Sequence, residues 1–151
     1  MRATALALTL AVLAAGCGGA LASVAQPGTS KLELRLIATN PADGFKVPTY
    51  DGKVTMDVEK RVQLTDRDVA EVKRRKLPDG SPAVDLVFDQ TASLTLEDIT
   101  AKNIGRSMAV LVDGKIVIAP KIKERISEGH MTMAGFDAAQ ADAIYARLKK
   151  K

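Results

Sequence analysis

Few side chains in this 151-residue sequence are of the types that catalyse reactions or bind metals. There is one histidine, His130, and one cysteine, Cys17, and no nucleophile motif accompanies the histidine. A usual zinc site takes four ligands, mostly Cys and His, so this pair rules one out. His130 follows Gly129 in a predicted turn, which favours a surface residue over a general base. The sequence therefore predicts no metal site and no cofactor.

Carboxylates are the remaining candidates for acid–base chemistry. Four of them lie close together in the sequence: Asp85, Asp89, Glu97 and Asp98. Because the chain has 18 acidic residues, such a grouping is expected by chance. The glycines around Cys17 lie in a predicted processing region, and the stretch 103–105 ends a predicted helix, so neither fits a phosphate-binding loop. We therefore expect a protein that is not an enzyme and that has no evident small-molecule substrate.

Length and composition fit one ordinary globular domain. The hydrophobic fraction is 46%, which is sufficient for a core. Basic residues number 22 against 18 acidic ones, and this mild excess is spread along the chain. With three Phe, two Tyr and no Trp, the chain lacks the aromatic side chains on which nucleic-acid bases stack. Nucleic acid is therefore not an expected partner.

The first 16 residues are typical of a signal peptide. Arg2 precedes an apolar run over 3–15, which is too short to span a bilayer. The run ends in a Leu-Ala-Ala-Gly-Cys sequence that resembles a bacterial lipobox, which predicts lipidation of Cys17. Gly18 after the cysteine favours the outer membrane. The alternative is cleavage after Ala22, which would release a soluble periplasmic protein. Residues 17–30 are predicted to form a flexible tether, and 31–151 the folded domain.

The strongest local signal is a β-hairpin. The apolar stretches 110–112 and 116–118 flank Asp113 and Gly114, a pair that favours a type I′ turn with Gly114 at positive φ. Both stretches are apolar at consecutive positions rather than alternating. We therefore expect a central hairpin covered on both faces, and a turn at Gly114 that tolerates a side chain less well than the turn at Gly129.

Other alternating stretches predict further strands. Residues 31–37 place three leucines inward, and a second hairpin is expected around Asp51 and Gly52. Strands are also predicted over 83–88, over 121–126 and near 131–133. In the stretch 121–126, three cations project from one exposed face, which meets water, an acidic polypeptide or lipid headgroups: Lys121, Lys123 and Arg125.

Three helices are predicted. The first is capped by Thr65 and ends in the basic run 73–76, which is either solvated or in contact with an anionic surface. The second begins at Thr95 or earlier and ends at Asn103 and Gly105. The last begins with a capping box at Asp137 and Gln140, and it has this buried stripe: Ala138, Ala141, Ile144, Tyr145 and Leu148. The fold class is α+β, a mainly antiparallel sheet with helices packed on one face.

One combination of motifs resembles the head subdomain of the first periplasmic domain of SecD, a subunit of the bacterial preprotein translocase. It consists of Asn103, Gly105, Asp113, Gly114, Ala119, Pro120, Ile122, Ile126, Gly129 and Gly135. The resemblance implies that the second helix starts near Gln90. Of these residues, Gly105, Asp113, Gly114, Pro120, Gly129 and Gly135 are expected to shape turns and strand ends.

The resemblance also implies an envelope protein that binds unfolded polypeptide and assists export. Besides the three cations of 121–126, Met131 and Met133 are candidate contacts, since an exposed strand edge beside apolar side chains can accept an extended chain. The alternative is a structural or regulatory partner of a folded envelope complex unrelated to export.

Overall fold

A computed structural model describes residues 30–149. The predicted signal peptide, Cys17 and the tether before Ser30 lie outside the described residues. The strands in this range are β1 Leu32–Leu36, β2 Gly44–Pro48, β3 Thr55–Glu59, β4 Leu64–Thr65, β5 Val69–Lys76, β6 Pro82–Phe88, β7 Met108–Val112, β8 Lys115–Ile118 and β9 His130–Met133. The helices are α1 Gln90–Lys102 and α2 Ala138–Leu148, with a short 3-10 turn at Pro41–Asp43.

The strands form three sheets. The largest has the order β4-β1-β7-β8, the second the order β5-β6-β9, and β2 and β3 form a separate hairpin. All pairs of neighbouring strands are antiparallel. The α+β class is therefore confirmed, although the described residues contain two helices rather than the three expected, and three sheets rather than one.

The predicted hairpin is the β7–β8 pair. Asp113 and Gly114 have φ values of 48° and 76°, the positive values at both central positions that a type I′ turn requires. All five residues of β7 are buried, as expected of a strand covered on both faces. The second arm differs from the prediction, because β8 lies at the edge of its sheet. Its outer side has one parallel bridge, between Thr49 and Ile116.

Two apolar cores lie on opposite faces of the four-stranded sheet. The main core includes the three leucines of β1 and the buried residues of both helices. The second core lies between the other face and the β2–β3 hairpin, and its buried residues are Val47, Val58, Ala109, Leu111 and Ile116. Since successive side chains of a strand point to opposite faces, β7 supplies both cores.

The three leucines of β1 face the main core as predicted, but the opposite face of this strand is buried as well. Glu33 and Arg35 are only 2% and 3% exposed. In the β1–β7 ladder they lie opposite Leu111 and Ala109, which belong to the second core. Glu33 and Arg35 therefore face that core. Arg35 Nε donates to Glu33 Oε2 at 2.7 Å, and the guanidinium lies 5.0 Å from the ring centroid of Phe45. The pair is therefore stabilised by mutual charge and by the hairpin that covers it.

Arg35 also connects β1 to the chain after β3. Its Nη1 donates to the backbone carbonyl of Glu59 at 3.0 Å and to that of Lys60. The other oxygen of Glu33, Oε1, is buried and has no hydrogen-bond partner among the described residues. A buried carboxylate with one unpaired oxygen is costly unless its partner stays in place.

The helix predicted from Thr65 to the basic run is wrong. Strands β4 and β5 occupy this stretch, and Asp68 accepts hydrogen bonds from the Thr65 amide and hydroxyl at 2.7 and 2.9 Å. The apolar spacing of Val69 and Val72 is typical of a helix. A bulge between Val69 and Glu71 produces the same spacing in a strand, because the extra residue returns both valines to the core face.

The remaining helix predictions are largely confirmed. α1 begins at Gln90 with Asp89 as its N-cap, whose carboxylate accepts from the Ala92 amide at 2.8 Å. The start implied by the resemblance is therefore right, and Thr95 lies within the helix. α2 has the predicted capping box of Asp137 and Gln140.

In the stripe predicted for α2, Ala141, Ile144 and Leu148 are buried and Tyr145 is half-buried, whereas Ala138 is exposed. Ala138 is the first residue of the helix, where the chain has not yet passed over the sheet.

Candidate functional site

The segment between β8 and β9 contains the predicted cationic face, but it is not a strand. Lys121 forms one isolated bridge with Ser107, and the amide of Ile122 donates to the carbonyl of Arg106 at 2.8 Å. Beyond Ile122 the chain leaves this ladder and crosses towards β9. Its backbone is held there by a side chain, since the Ile126 amide donates to Thr100 Oγ1 at 3.0 Å.

The three cations of this segment are exposed. Arg125 forms an ion pair with Glu97, with Nη1 and Oε1 3.1 Å apart. Lys121 and Lys123 have no ion-pair partner within residues 30–149. These two lysines are therefore available to an anionic ligand.

A groove of about 240 Å³ separates this segment from β9, and we call it the Lys121 groove. Its residues are Thr100, Met108, Pro120, Lys121, Ile122, Lys123, Glu124, Ile126, His130, Met131 and Thr132. The apolar members form its floor, and Met108, Ile122 and Met131 are almost fully buried. Polar and charged side chains at the rim therefore surround an apolar surface.

The two methionines proposed as contacts are in different positions. Met131 is 7% exposed and lines the Lys121 groove. Met133 is 0% exposed and pairs with Val84 in the main core. Met133 is thus a core residue, because it lies deeper along the same inward-facing side of β9.

Strand β9 is an edge strand in the described chain, since it pairs with β6 alone. The amide of Phe88 donates to the carbonyl of Gly129 at 2.9 Å, so these two residues form a hydrogen-bonded pair. Hydrogen-bonded and non-hydrogen-bonded pairs alternate along the rest of the β6–β9 ladder. In an antiparallel pair, His130 and Thr132 must then direct their N–H and C=O groups away from β6. Both residues also line the Lys121 groove. The groove therefore lies beside backbone groups that can pair with another extended chain.

His130 was expected in a turn and instead begins β9, with an exposed side chain. Gly129 before it has φ 64° and is buried. A Cβ on Gly129 would lie 1.9 Å from Ser93 Oγ, so this turn is tightly packed rather than loose. The premise that the turn at Gly129 is loose is therefore not met, and the relative tolerance of Gly129 and Gly114 to a side chain stays a prediction.

The other predicted turn residues have structural roles. Gly105 and Gly135 have φ values of 89° and 93°, which are accessible mainly to glycine. The carbonyl of Pro120 accepts from the Met108 amide at 2.9 Å and continues the β7–β8 pairing. Of these three residues, Pro120 alone lines the Lys121 groove.

Thr100, Met108 and Thr132 are groove residues that the sequence did not indicate. Thr132 Oγ1 donates to Asp85 Oδ1 at 2.7 Å, and Asp85 also pairs with Arg75. Nothing in the local sequence reveals that β9 pairs with β6, more than 40 positions earlier, or that its other side stays open.

Chemical groups for catalysis are sparse at the groove. Within the described range, no three His, Cys, Asp or Glu side chains are grouped closely enough to hold a metal ion. Over the same range, neither helix is long and apolar enough to cross a membrane. The groove has an apolar floor beside a strand edge, and its charged or titratable lining residues are Lys121, Lys123, Glu124 and His130.

Comparison with known proteins places this fold. The family model for the P1 head subdomain of SecDF matches residues 44–150. Protein translocase subunit SecD of Acidaminococcus fermentans is 34% identical over 103 residues, covering 65% of this chain and 25% of the relative. SecD of Treponema pallidum is 29% identical over 107 residues, covering 71% and 18%.

A solved structure of SecDF, described as a membrane component that enhances protein export, matches with a TM-score of 0.65 at 22% identity. The match covers 79% of this chain and 61% of that one. This chain spans a quarter or less of the length of the two SecD relatives. On the family match, which includes every element from β2 to α2, the chain belongs to the SecDF P1 head subdomain family.

Proposed function

We propose that this chain is a polypeptide-binding module that assists protein export without catalysing a reaction. Its family supports the export context, because the relatives are named as protein translocase subunits. The observation that carries the binding function is the open edge of β9 beside the Lys121 groove. An extended segment would pair with this edge and place side chains on the apolar floor.

Backbone pairing is nearly independent of sequence, which suits a module that meets many different chains. Two outward-facing residues of β9 offer about four backbone hydrogen bonds, each with a net value of about 1 kcal/mol. Association costs at least about 4 kcal/mol, so pairing alone is insufficient. The apolar floor must contribute the rest, and the resulting affinity is weak enough for release.

Lys121 and Lys123 add a preference for acidic segments. Both are exposed and unpaired within the described chain, so each can approach a carboxylate without first breaking an ion pair. Interactions between exposed charges are weak and are screened by salt. The lysines therefore increase binding of acidic chains at low ionic strength rather than determine binding as such.

We also propose that the module acts on the periplasmic side of the envelope, anchored by a lipid on Cys17, with the outer membrane favoured. The apolar run before Cys17 and the small residues next to it support this. Cys17→Ala should move the protein from the membrane fraction to the soluble periplasmic fraction or leave it unprocessed. Unchanged membrane association would contradict lipidation.

The main test blocks the edge of β9 in the full chain. Thr132→Pro removes one outward N–H group without removing a donor to β6, and proline is tolerated on edge strands. Thr132→Val is the matched control, because it loses the hydroxyl bond to Asp85 but keeps the amide. We expect Thr132→Pro to weaken binding of a fluorescently labelled unfolded polypeptide about threefold to tenfold, and Thr132→Val to have little effect.

A second test concerns charge. Lys121→Gln with Lys123→Gln should weaken binding of an unfolded acidic polypeptide at low salt and lose this effect at high salt. Lys31→Gln with Lys60→Gln makes the same charge change at two exposed lysines that do not line the Lys121 groove. Circular dichroism checks the fold of every variant. Equal affinities for all variants, or binding to one folded protein but to no unfolded chain, would overturn the proposed function.

A further inference from the structure

A second recess lies beside β8. Its volume is about 250 Å³, and we call it the Tyr50 pocket. Its residues are Thr49, Tyr50, Asp51, Val54, Ile116, Val117, Gly135, Phe136, Gln140 and Ile144. They come from the turn of the β2–β3 hairpin, from β8, from α2 and from the short segment before α2. The pocket thus lies where β8 has only its single bridge to Thr49.

Exposed apolar side chains are concentrated at this pocket. Tyr50 is 39% exposed and Val54 is 51% exposed, and they are two of the four large hydrophobic residues that are exposed in the described chain. The other two, Leu94 and Ile104, lie on α1 and just after it. The Tyr50 pocket therefore has a mixed polar and apolar lining with two exposed apolar side chains at its rim, and an exposed apolar patch is typical of a binding surface.

The polar group at this rim is a carboxylate. Asp51 Oδ1 accepts from the Thr49 hydroxyl at 2.6 Å and from the Lys53 amide at 3.1 Å. The bond from the Thr49 hydroxyl, and to a smaller extent the bond from the Lys53 amide, lower the pKa of Asp51 below its usual value. Asp51 therefore stays ionised at neutral pH. Its contact with Lys53 Nζ is 3.6 Å long and exposed, so another cation can replace Lys53 at little cost.

Size restricts what the Tyr50 pocket can hold. Sites for drug-sized ligands measure roughly 300–1,000 Å³, and this pocket is smaller. It is large enough for one bulky side chain. Gln140 Oε1 already accepts from the Asp137 amide in the capping box, so Asp51 is the group that selects charge.

We propose that the Tyr50 pocket binds one large apolar side chain of an extended polypeptide, while Asp51 pairs with a Lys or Arg next to that side chain. This inference rests on the proposed polypeptide-binding function. It adds a second contact site, whose charge is opposite to that of the two lysines at the Lys121 groove. The module would then bind acidic segments at the Lys121 groove and segments with apolar and basic residues at the Tyr50 pocket. Such a division would let it bind chains of mixed composition.

The test uses two short fluorescent peptides in an otherwise identical Gly/Ser background. One carries Phe followed by two Lys, and the other carries Phe followed by two Asp. In the full chain, Tyr50→Ser removes the aromatic rim, and Asp51→Asn keeps an acceptor for Thr49 but removes the charge. Leu94→Ser is the control for loss of an exposed apolar side chain elsewhere, since Leu94 is 64% exposed.

For the Phe-Lys peptide we expect Tyr50→Ser to weaken binding about fivefold to tenfold. Asp51→Asn should weaken it about twofold to fivefold at low salt. Leu94→Ser and the Lys121, Lys123 double variant should leave this affinity unchanged. For the Phe-Asp peptide the pattern should reverse, with the lysine variant alone weakening binding.

The outcomes separate this inference from the proposed function. If the Phe-Asp peptide depends on the lysines but Tyr50→Ser and Asp51→Asn do not change Phe-Lys binding, polypeptide binding stands and the pocket assignment is overturned. If neither peptide binds the unmodified chain, both fall. If sedimentation shows self-association that Tyr50→Ser abolishes, the pocket holds a second copy of this chain, and the inference is likewise overturned.

Discussion

The two faces of the four-stranded sheet are covered in different ways. One face lies under both helices and the three-stranded sheet, in a core of twenty buried apolar residues. The other lies under the β2–β3 hairpin, in a core of five, beside the buried pair of Glu33 and Arg35. The first cover packs mainly through apolar burial, whereas the second combines a smaller apolar core with one ion pair and its bonds to backbone carbonyls.

This difference bears on function, because the Tyr50 pocket is built partly from the hairpin turn and the Lys121 groove is not. The groove belongs to the side with the larger core. We therefore expect changes in the hairpin to alter one recess while leaving the other intact.

The largest expected effect comes from breaking the buried pair. Glu33→Ala should lower the free energy of unfolding by about 3–5 kcal/mol, since Arg35 would remain buried without its partner. Leu34→Ala, on the opposite face, should cost about 2–5 kcal/mol through lost burial and a cavity. Urea unfolding measures both.

The double variant Glu33→Leu with Arg35→Met is the control for that measurement. It should recover most of the stability, because apolar replacement of a buried pair is often neutral or stabilising. A loss below about 1 kcal/mol for Glu33→Ala would show that the second face does not depend on the pair.

The next effect tests the main-core side, where Gly129 packs against Ser93 of α1. Gly129→Ala should cost about 2–4 kcal/mol, because it adds both left-handed strain and overpacking. Gly80→Ala is the matched control, since Gly80 has φ 83° with open space around a Cβ, and about 1–2 kcal/mol is expected. Equal melting temperatures for the two variants would mean that Ser93 moves aside freely.

A smaller effect concerns local opening. Amides of β2 and β3 should exchange hydrogen at least about tenfold faster than those of β7 in native-state exchange, because fewer apolar contacts hold the hairpin. Uniform protection across both regions would show that the hairpin and the sheet open only together.

The smallest effect is a pH dependence at the hairpin turn. The folded-state pKa of Asp51 is lowered from 3.8, mainly by the Thr49 hydroxyl. When the pKa of a carboxyl group is lower in the folded than in the unfolded state, its ionisation stabilises the fold. This contribution is complete at pH values above the unfolded-state pKa and is lost as the pH falls through the folded-state pKa. Asp51→Asn should therefore flatten the acid limb of the stability profile below about pH 4. An identical acid limb would assign the loss to other carboxylates.

Local patterns in the sequence were sufficient for much of the fold. The β7–β8 turn, the α2 capping box and the leucines of β1 were predicted because each depends on neighbouring residues. The strand β5 was missed because its bulge at Val69 and Glu71 imitates helical spacing. Burial of Glu33 and Arg35 was missed because the hairpin that covers them is a tertiary feature.

The candidate site was predicted only in part. Exposure of Lys121 and Lys123 followed from their alternation with apolar residues, although the segment is not a strand. The open edge of β9 and the burial of Met133 depend on which strand β9 pairs with. That pairing joins distant parts of the chain, so local periodicity contains no record of it.

Strand β5, which bears the basic run 73–76, is eight residues long and lies at an open sheet edge. Such an edge is a template for aggregation between copies of a protein. Here the run 73–76 is entirely basic, although Lys73, Arg74 and Arg75 each pair with a carboxylate of the same chain. The bulge near Val69 also distorts the strand, so a second copy meets an excess of basic groups and poor geometry. Neutralising this run should make the protein prone to assemble edge to edge, which gives the basic residues a role in solubility that requires no ligand.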